Sequence, residues 1–145
     1  MAEYSEEALF PFPRDQVWKL LHAHWDDTTI RQIHPMIRAQ KTMSRSANEV
    51  VLHRTIDARG KLLNSEWKIT FRPPDFLRYE IGASEGPYAS GSFVEIQYSD
   101  APGGTRMRTH VKGRITVLPF FLPQKTFLKK VLADIDREDQ AFLRR

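Results

Sequence analysis

The spacing of apolar residues changes along the chain and marks out its elements. Over residues 5–12 apolar positions alternate, with Ala8, Phe10 and Phe12 on one side of an extended segment. Pro11 and Pro13 supply no backbone N–H, so they restrict this segment to an edge or an end of a sheet. The period then becomes helical. Val17, Trp18, Leu20, Leu21 and Trp25 predict a helix over 14–24. Asp26 or Asp27 suits the N-cap of a short second helix carrying Ile30 and Ile33. His34-Pro35 ends it, because the residue before proline avoids helical backbone.

From Met36 the period is two. Strands are predicted over 37–45, 49–57, 62–72, 76–84, 91–99 and 105–118. Turn residues separate them: Ser46-Ala47-Asn48, Asp57-Ala58-Arg59-Gly60, Pro73-Pro74-Asp75, Gly86-Pro87 and Asp100-Ala101-Pro102-Gly103-Gly104. Short links between successive strands imply an antiparallel meander. Leu63, Trp67, Ile69 and Phe71 share a face, as do Leu77, Tyr79 and Ile81, and Val94, Ile96 and Tyr98. In the last strand Met107, Thr109, Val111, Ile115 and Val117 point one way and Arg106, Arg108, His110, Lys112 and Arg114 the other. Pro119-Phe120-Phe121-Leu122-Pro123 breaks the sheet. A long helix over 123–143 follows, with a stripe of Phe127, Leu128, Val131, Leu132, Ile135, Phe142 and Leu143 that Glu138 and Asp139 interrupt.

These elements make an α+β domain over residues 1–145: a seven-stranded antiparallel sheet curved around a long C-terminal helix, with two short helices between strands one and two. One face of such a sheet needs cover. A helix of this length reaches roughly 30 Å. A single helix leaves a space between itself and the sheet, the default ligand site.

Phe10-Pro11-Phe12-Pro13-Arg14-Asp15-Gln16-Val17-Trp18-Lys19-Leu20-Leu21, Ile33-His34-Pro35-Met36-Ile37 and Gly103-Gly104-Thr105-Arg106 occur in this order, before a proline-rich break and a final helix. Together they resemble the START/polyketide cyclase-like helix-grip superfamily (SRPBCC) over nearly the whole chain. The resemblance implies a cavity between the sheet and the C-terminal helix. Members commonly have Trp before the proline of the second motif. Here that position is His34, which the resemblance places at the cavity mouth.

Composition narrows the function classes. Hydrophobic residues make up 41% of the chain and charged residues 28%, which excludes a disordered or collagenous polymer. No cysteine is present, so disulfides, thiolate metal sites and cysteine nucleophiles are excluded. The acidic start Met1-Ala2-Glu3-Tyr4-Ser5-Glu6-Glu7 lacks a signal-peptide layout, and no apolar run is long enough to span a membrane. The expected location is the cytoplasm, without integral membrane association. The net charge of +4 divides into +6 over residues 105–145 and −2 before them. Much of the excess is the polar side of one strand, and the aromatics lie mainly on the other side, so nucleic acid is not an expected partner.

The His22-x-His24-x-Asp26 run has the residue types of a metal site, but positions i and i+2 on a helix point apart. These residues are expected to be solvated or capping, and neither a metal nor a cofactor is expected. His34 is expected to bond a last-turn carbonyl, the alternative being donation to a ligand oxygen. Arg54 alternates with Leu52 and Ile56, while the opposite register turns Val51, His53 and Thr55 inward. Both registers stand. If buried, Arg54 needs Glu66, Asp139 or a ligand carboxylate. Glu138 and Asp139 are expected on an exposed rim, the alternative being a carboxylate facing the pocket with a raised pKa.

The expected function is binding, with or without transport, of a small, largely hydrophobic molecule such as a lipid or polyketide-like compound. Expected ligand contacts are Phe10, His34, Ile37, Arg54, Trp67, Ile69, Tyr79, Ile96, Tyr98, Thr109, Phe121, Leu128, Leu132 and Ile135. The alternative is a cyclase or dehydratase using one acid/base group, with His34, Arg54, Tyr79 and Asp139 as candidates. An interaction module, including a homodimer, is a third reading, supported by Phe120-Phe121-Leu122.

Overall fold

A computed structural model describes residues 1–119 and 121–145; Phe120, part of the segment read as support for an interaction module, lies outside the described residues. The strands are β1 (Ala2–Phe10), β2 (Ile37–Arg45), β3 (Glu49–Ala58), β4 (Lys61–Arg72), β5 (Phe76–Ser84), β6 (Phe93–Ala101) and β7 (Gly104–Gly113). The helices are α1 (Arg14–His24), α2 (Ile30–Ile33) and α3 (Gln124–Leu143). All strand pairs are antiparallel, in the order β1-β7-β6-β5-β4-β3-β2. This is the helix-grip arrangement. Helices α1 and α2 carry the chain from one edge strand to the other.

Where boundaries differ from the sequence reading, specific backbone partners explain the difference. The first strand starts earlier than residue 5 because β7 pairs with it from Ala2, opposite Gly113, to Phe10, opposite Thr105. It ends before Phe12, whose N–H turns back to the Phe10 carbonyl at 2.8 Å while its carbonyl accepts from Thr105 Oγ1 at 2.7 Å. Strand β6 begins at Phe93 and runs to Ala101, two residues later than expected, because Ala89 and Gly91 bond Arg114 and Ile81 in the preceding turn. The last strand stops at Gly113 rather than 118. Arg114 N–H donates to Ser92 Oγ at 3.3 Å. Both backbone polar groups of Ile115 are taken by the Gln124 side-chain amide, at 2.8 and 3.1 Å. Ile115 remains buried, but Val117, expected on the same face, is exposed.

Gly104 shows why the Gly-Gly turn before β7 tolerates no side chain. A Cβ there would collide with the Phe10 carbonyl oxygen and lie 3.0 Å from Phe12 N.

The core lies on one face of the sheet. Val17, Leu20, Leu21 and Trp25 of the α1 region pack with Phe10, Val50, Leu52, Ile69, Phe71, Leu77 and Tyr98. Trp25 stacks on Phe71 with centroids 5.0 Å apart. A second cluster joins Leu128 to Tyr4, Val111 and Ile115. The α3 stripe is less buried than its pattern suggests: only Leu128 and Asp139 are buried. The helix packs at both ends and seals less between them, where Leu132, Ile135 and Asp136 are half-buried. On the inward parity of the sheet, Trp67, Tyr79, Val94, Ile96, Met107 and Thr109 also keep accessible surface.

On the other face, the basic side of β7 is neutralised largely by β1. Arg106 and Arg108 reach Glu7 at 3.0 and 3.3 Å, and His110 reaches Glu3 at 2.9 Å. Glu95 of β6, an expected cross-strand partner, lies 3.9 Å from His110.

Candidate functional site

Arg54 settles the register of β3. Val50, Leu52, Arg54 and Ile56 are buried on one side, so the inward register is the one containing Arg54. Its neighbour in the ladder, Gln40 of β2, accepts from Nε at 2.7 Å, and the His24 carbonyl accepts from a terminal nitrogen at 3.3 Å. The guanidinium carbon lies 4.7 Å from the Trp67 ring centroid. Neither Glu66 nor Asp139 forms an ion pair with it: among the described residues no carboxylate lies within 4.0 Å of Arg54. Burial lowers its pKa to about 10, against the opposing pull of Tyr79, Tyr88, Asp139 and Asp27. Tyr88 is pushed up to about 12 by burial, partly offset by Arg54, and burial, with Asp139, raises Tyr79 against the opposing pull of Arg54.

Beside Arg54 lies a buried polar cluster drawn from four elements. His24 ends α1 on its apolar side, at i+7 from Val17, i+4 from Leu20 and i+3 from Leu21. Its Nδ1 is 3.0 Å from the Tyr79 hydroxyl of β5 and its Nε2 is 2.7 Å from Asp139 Oδ1 of α3. His34, just after α2, places Nδ1 3.0 Å from Glu138 Oε1 and Nε2 2.8 Å from Asp139 Oδ1. The second contact is close, but the N–H direction is misaligned, and His34 Nε2 is buried without a hydrogen bond. For Asp139, burial alone would raise the carboxyl pKa, but His24 and His34 together outweigh it and hold it down at about 2. His34 moves up: burial opposes its charge, and Asp139 and Glu138 overcome that opposition.

Several expectations change here. Asp139 is not on an exposed rim, and its pKa falls rather than rises because two imidazoles meet it. Glu138 is half-buried. The His34 side chain turns to the α3 carboxylates instead of a last-turn carbonyl. His22 does point away from His24 and bonds the Trp18 carbonyl at 2.7 Å. His24, expected to be solvated, is buried. Asp26 does cap a turn, accepting from Thr28 and Thr29 N–H at 3.2 and 2.8 Å. Asp27 instead ties the helical segment to β2 through Thr42 and Gln40.

The structure brings His34, Arg54, Trp67, Tyr79 and Asp139 into one neighbourhood. Phe10, Ile69 and Tyr98 lie in the packed main core, and Ile37 packs with Ile30 and Ile56. Leu128 and Leu132 belong to the cluster around Tyr4, while Ile96 and Thr109 line the half-buried stretch of the inner face and Ile135 that of α3. Phe121 is 73% exposed. The candidate ligand-binding and catalytic residues did not include His24, Gln40 and Tyr88; of these, His24 carried a signal, its place in the helical stripe.

A depression of about 480 Å³ lies among Ser5, Glu7, Glu95, Gln97, Arg108 and His110. It also touches Ile96 and Thr109, but its side chains are mostly those of the charged outer face, away from the buried cluster.

No family model matches the sequence, and neither does any curated protein. Solved structures do match. The protein Ara h 8.0201 is 17% identical, with a TM-score of 0.77 over 98% of this chain and 97% of that one. The di-domain aromatase/cyclase StfQ of the steffimycin biosynthetic pathway is 11% identical, with a TM-score of 0.74 over 97% of this chain and 49% of that one. A START superfamily protein from Mycobacterium smegmatis is 9% identical, with a TM-score of 0.70 over 98% and 97%. These likenesses show the helix-grip fold. Among the described residues no helix is long and apolar enough to cross a membrane.

Proposed function

We propose that this chain binds a small, largely hydrophobic molecule bearing one anionic or strongly accepting oxygen, held between the sheet and α3. The observation that carries the reading is Arg54, a buried cation on the inner face with no carboxylate partner among the described residues. A buried charge is costly unless paired. Gln40 and the His24 carbonyl hold the guanidinium with neutral oxygens only, and Trp67 adds its ring face. A ligand carboxylate would supply the missing charge, a ligand carbonyl would add one more acceptor for the guanidinium, and the half-buried Ile96, Met107, Leu132 and Ile135 would take the apolar body. Similarity in fold to a START superfamily protein and to aromatase/cyclases supports such a space.

Denaturing extraction of the purified protein followed by mass spectrometry tests this reading, together with displacement of a fluorescent fatty acid. A stoichiometric apolar acid or ketone, or saturable displacement at micromolar concentration, is the expected result. Absence of extracted molecules and of displacement would refute it. A cyclase or dehydratase is the second reading. It is favoured by the Tyr79–His24–Asp139 chain, which places a hydroxyl, an imidazole and a carboxylate in one line of contacts. Turnover of a polyketide-like substrate panel that Tyr79→Phe abolishes would support it.

A further inference from the structure

We infer that His24, His34 and Asp139 form a binding site for a divalent transition-metal ion such as zinc. One donor atom from each of these buried residues lies within 4.8 Å of the others. The three come from the end of α1, the segment after α2, and α3, so tertiary folding assembles the set.

The hydrogen bonding around the cluster argues for a cation at its centre. Glu138 as a carboxylate can only accept, so the 3.0 Å contact assigns a proton to His34 Nδ1. In an imidazole with one proton, His34 Nε2 is then a bare lone pair 2.8 Å from the Asp139 carboxylate. Two lone pairs facing each other in a dry site repel, so either a second ring proton or a metal ion sits between them. The contact is not an aligned hydrogen bond, and the His34 side chain is only 10% exposed, so water does not relieve it. A metal ion satisfies both atoms.

The outer contacts are those that metal-binding histidines use. Such a histidine commonly donates its other ring N–H to a carboxylate or similar oxygen, fixing the tautomer. Glu138 serves His34 in this way and the Tyr79 oxygen can serve His24. Without metal, Tyr79 O–H donates to His24 Nδ1 and His24 Nε2–H donates to Asp139. Metal binding would move the single ring proton of His24 from Nε2 to Nδ1, freeing the Nε2 lone pair for the ion and making Tyr79 the acceptor. Two imidazoles and one carboxylate suit zinc or its neighbours rather than magnesium or calcium. Zn–N bonds of about 2.0–2.1 Å set tetrahedral ligand atoms ~3.3 Å apart, so the two contacts to Asp139 must open by about half an ångström and the two imidazole nitrogens, within 4.8 Å of each other, must settle at the same spacing. Three protein ligands leave a coordination position open. This inference does not rest on the proposed organic ligand, and its test uses the metal alone.

The full chain, stripped with a chelator, is titrated with Zn²⁺ by calorimetry and with Co²⁺ by visible absorption. One ion per chain is expected, with cobalt d–d bands of a four- or five-coordinate site. Glu138→Gln should weaken binding about 10–100-fold, Asp139→Asn should weaken it further, and His22→Gln should leave it unchanged. Histidine ¹⁵N spectra of the unmodified protein provide a readout that does not depend on variants folding. Zinc should shift the Nε2 signals of His24 and His34 and leave both Nδ1 protonated. No heat and no cobalt bands at millimolar ion would overturn the inference. So would binding that Asp139→Asn leaves intact, or His34 carrying both ring protons with spectra unchanged by zinc.

Discussion

The guanidinium of Arg54 lies 4.7 Å from the centre of the Trp67 ring, with both side chains on the inward parity of adjacent strands. The pair gives a buried cation partial compensation from an aromatic face, which contributes on the order of 2 kcal/mol when desolvated. That does not offset burial, so the positive charge is a standing cost to the fold. Arg54→Met is therefore expected to leave stability unchanged or raise it, by up to about 1–4 kcal/mol, as when buried ionic groups are replaced by apolar ones of similar volume. Urea denaturation checks this. A loss above 3 kcal/mol would show that Arg54 is already fully paired within the chain.

Asp139 should behave in the opposite way. Its carboxylate accepts from His24 and sits against His34 at 2.7 and 2.8 Å. Asp139→Asn removes the buried carboxylate on which both imidazoles converge. A loss of about 3–5 kcal/mol is expected at neutral pH, read as a lower urea midpoint with an unchanged slope.

Asp27 supplies a pH-dependent clamp on β2. It accepts from Thr42 N and Oγ1 and from Gln40 Nε2 at 2.9, 2.8 and 3.2 Å. Burial opposes its charge, but these donors prevail, and its folded pKa lies below 3.8. A depressed carboxylate contributes stability that is present above its unfolded pKa and lost as pH falls through the folded one. Asp27→Asn should cost on the order of 1–3 kcal/mol at pH 7. The difference from the unaltered protein should narrow from about pH 4 downward. A pH-independent difference would remove the carboxylate from the explanation.

Gly104→Ala should be among the most damaging changes of a single methyl group. The added Cβ meets backbone at Phe10 and Phe12 rather than a movable side chain. A loss of at least about 1–3 kcal/mol is expected, with the β1–β7 edge showing faster amide exchange. An Ala variant of ordinary stability and exchange would contradict this account of the turn.

The fold was legible because period and punctuation agreed. The switch from helical spacing in Val17–Leu21 to alternation after Met36, and the turn residues between strands, defined the element order. The end of β7 was not legible, since Ile115 keeps strand-like burial while a glutamine side chain occupies its backbone groups. The parity of β3 was open because Arg54 broke its apolar row, and that break marked the site. The polar cluster was only half legible. His24 shared the stripe of α1, but its partners come from residues 34, 79 and 139, and local spacing carries no information about contacts at such separations. The exposed-rim reading of Asp139 failed because a carboxylate within an apolar stripe is buried when histidines from other elements converge on it.

The central claim is that Arg54 reads the polar end of an apolar ligand, and carboxyl-¹³C-labelled dodecanoate tests it most directly. Titrated into the unaltered protein and into Arg54→Met, its carboxylate resonance reports both binding and contact with the cation. The account predicts saturable one-to-one binding with a shifted resonance, weakened at least tenfold in a folded Arg54→Met protein. No saturable binding, or equal affinity and equal shift in both proteins, would contradict it.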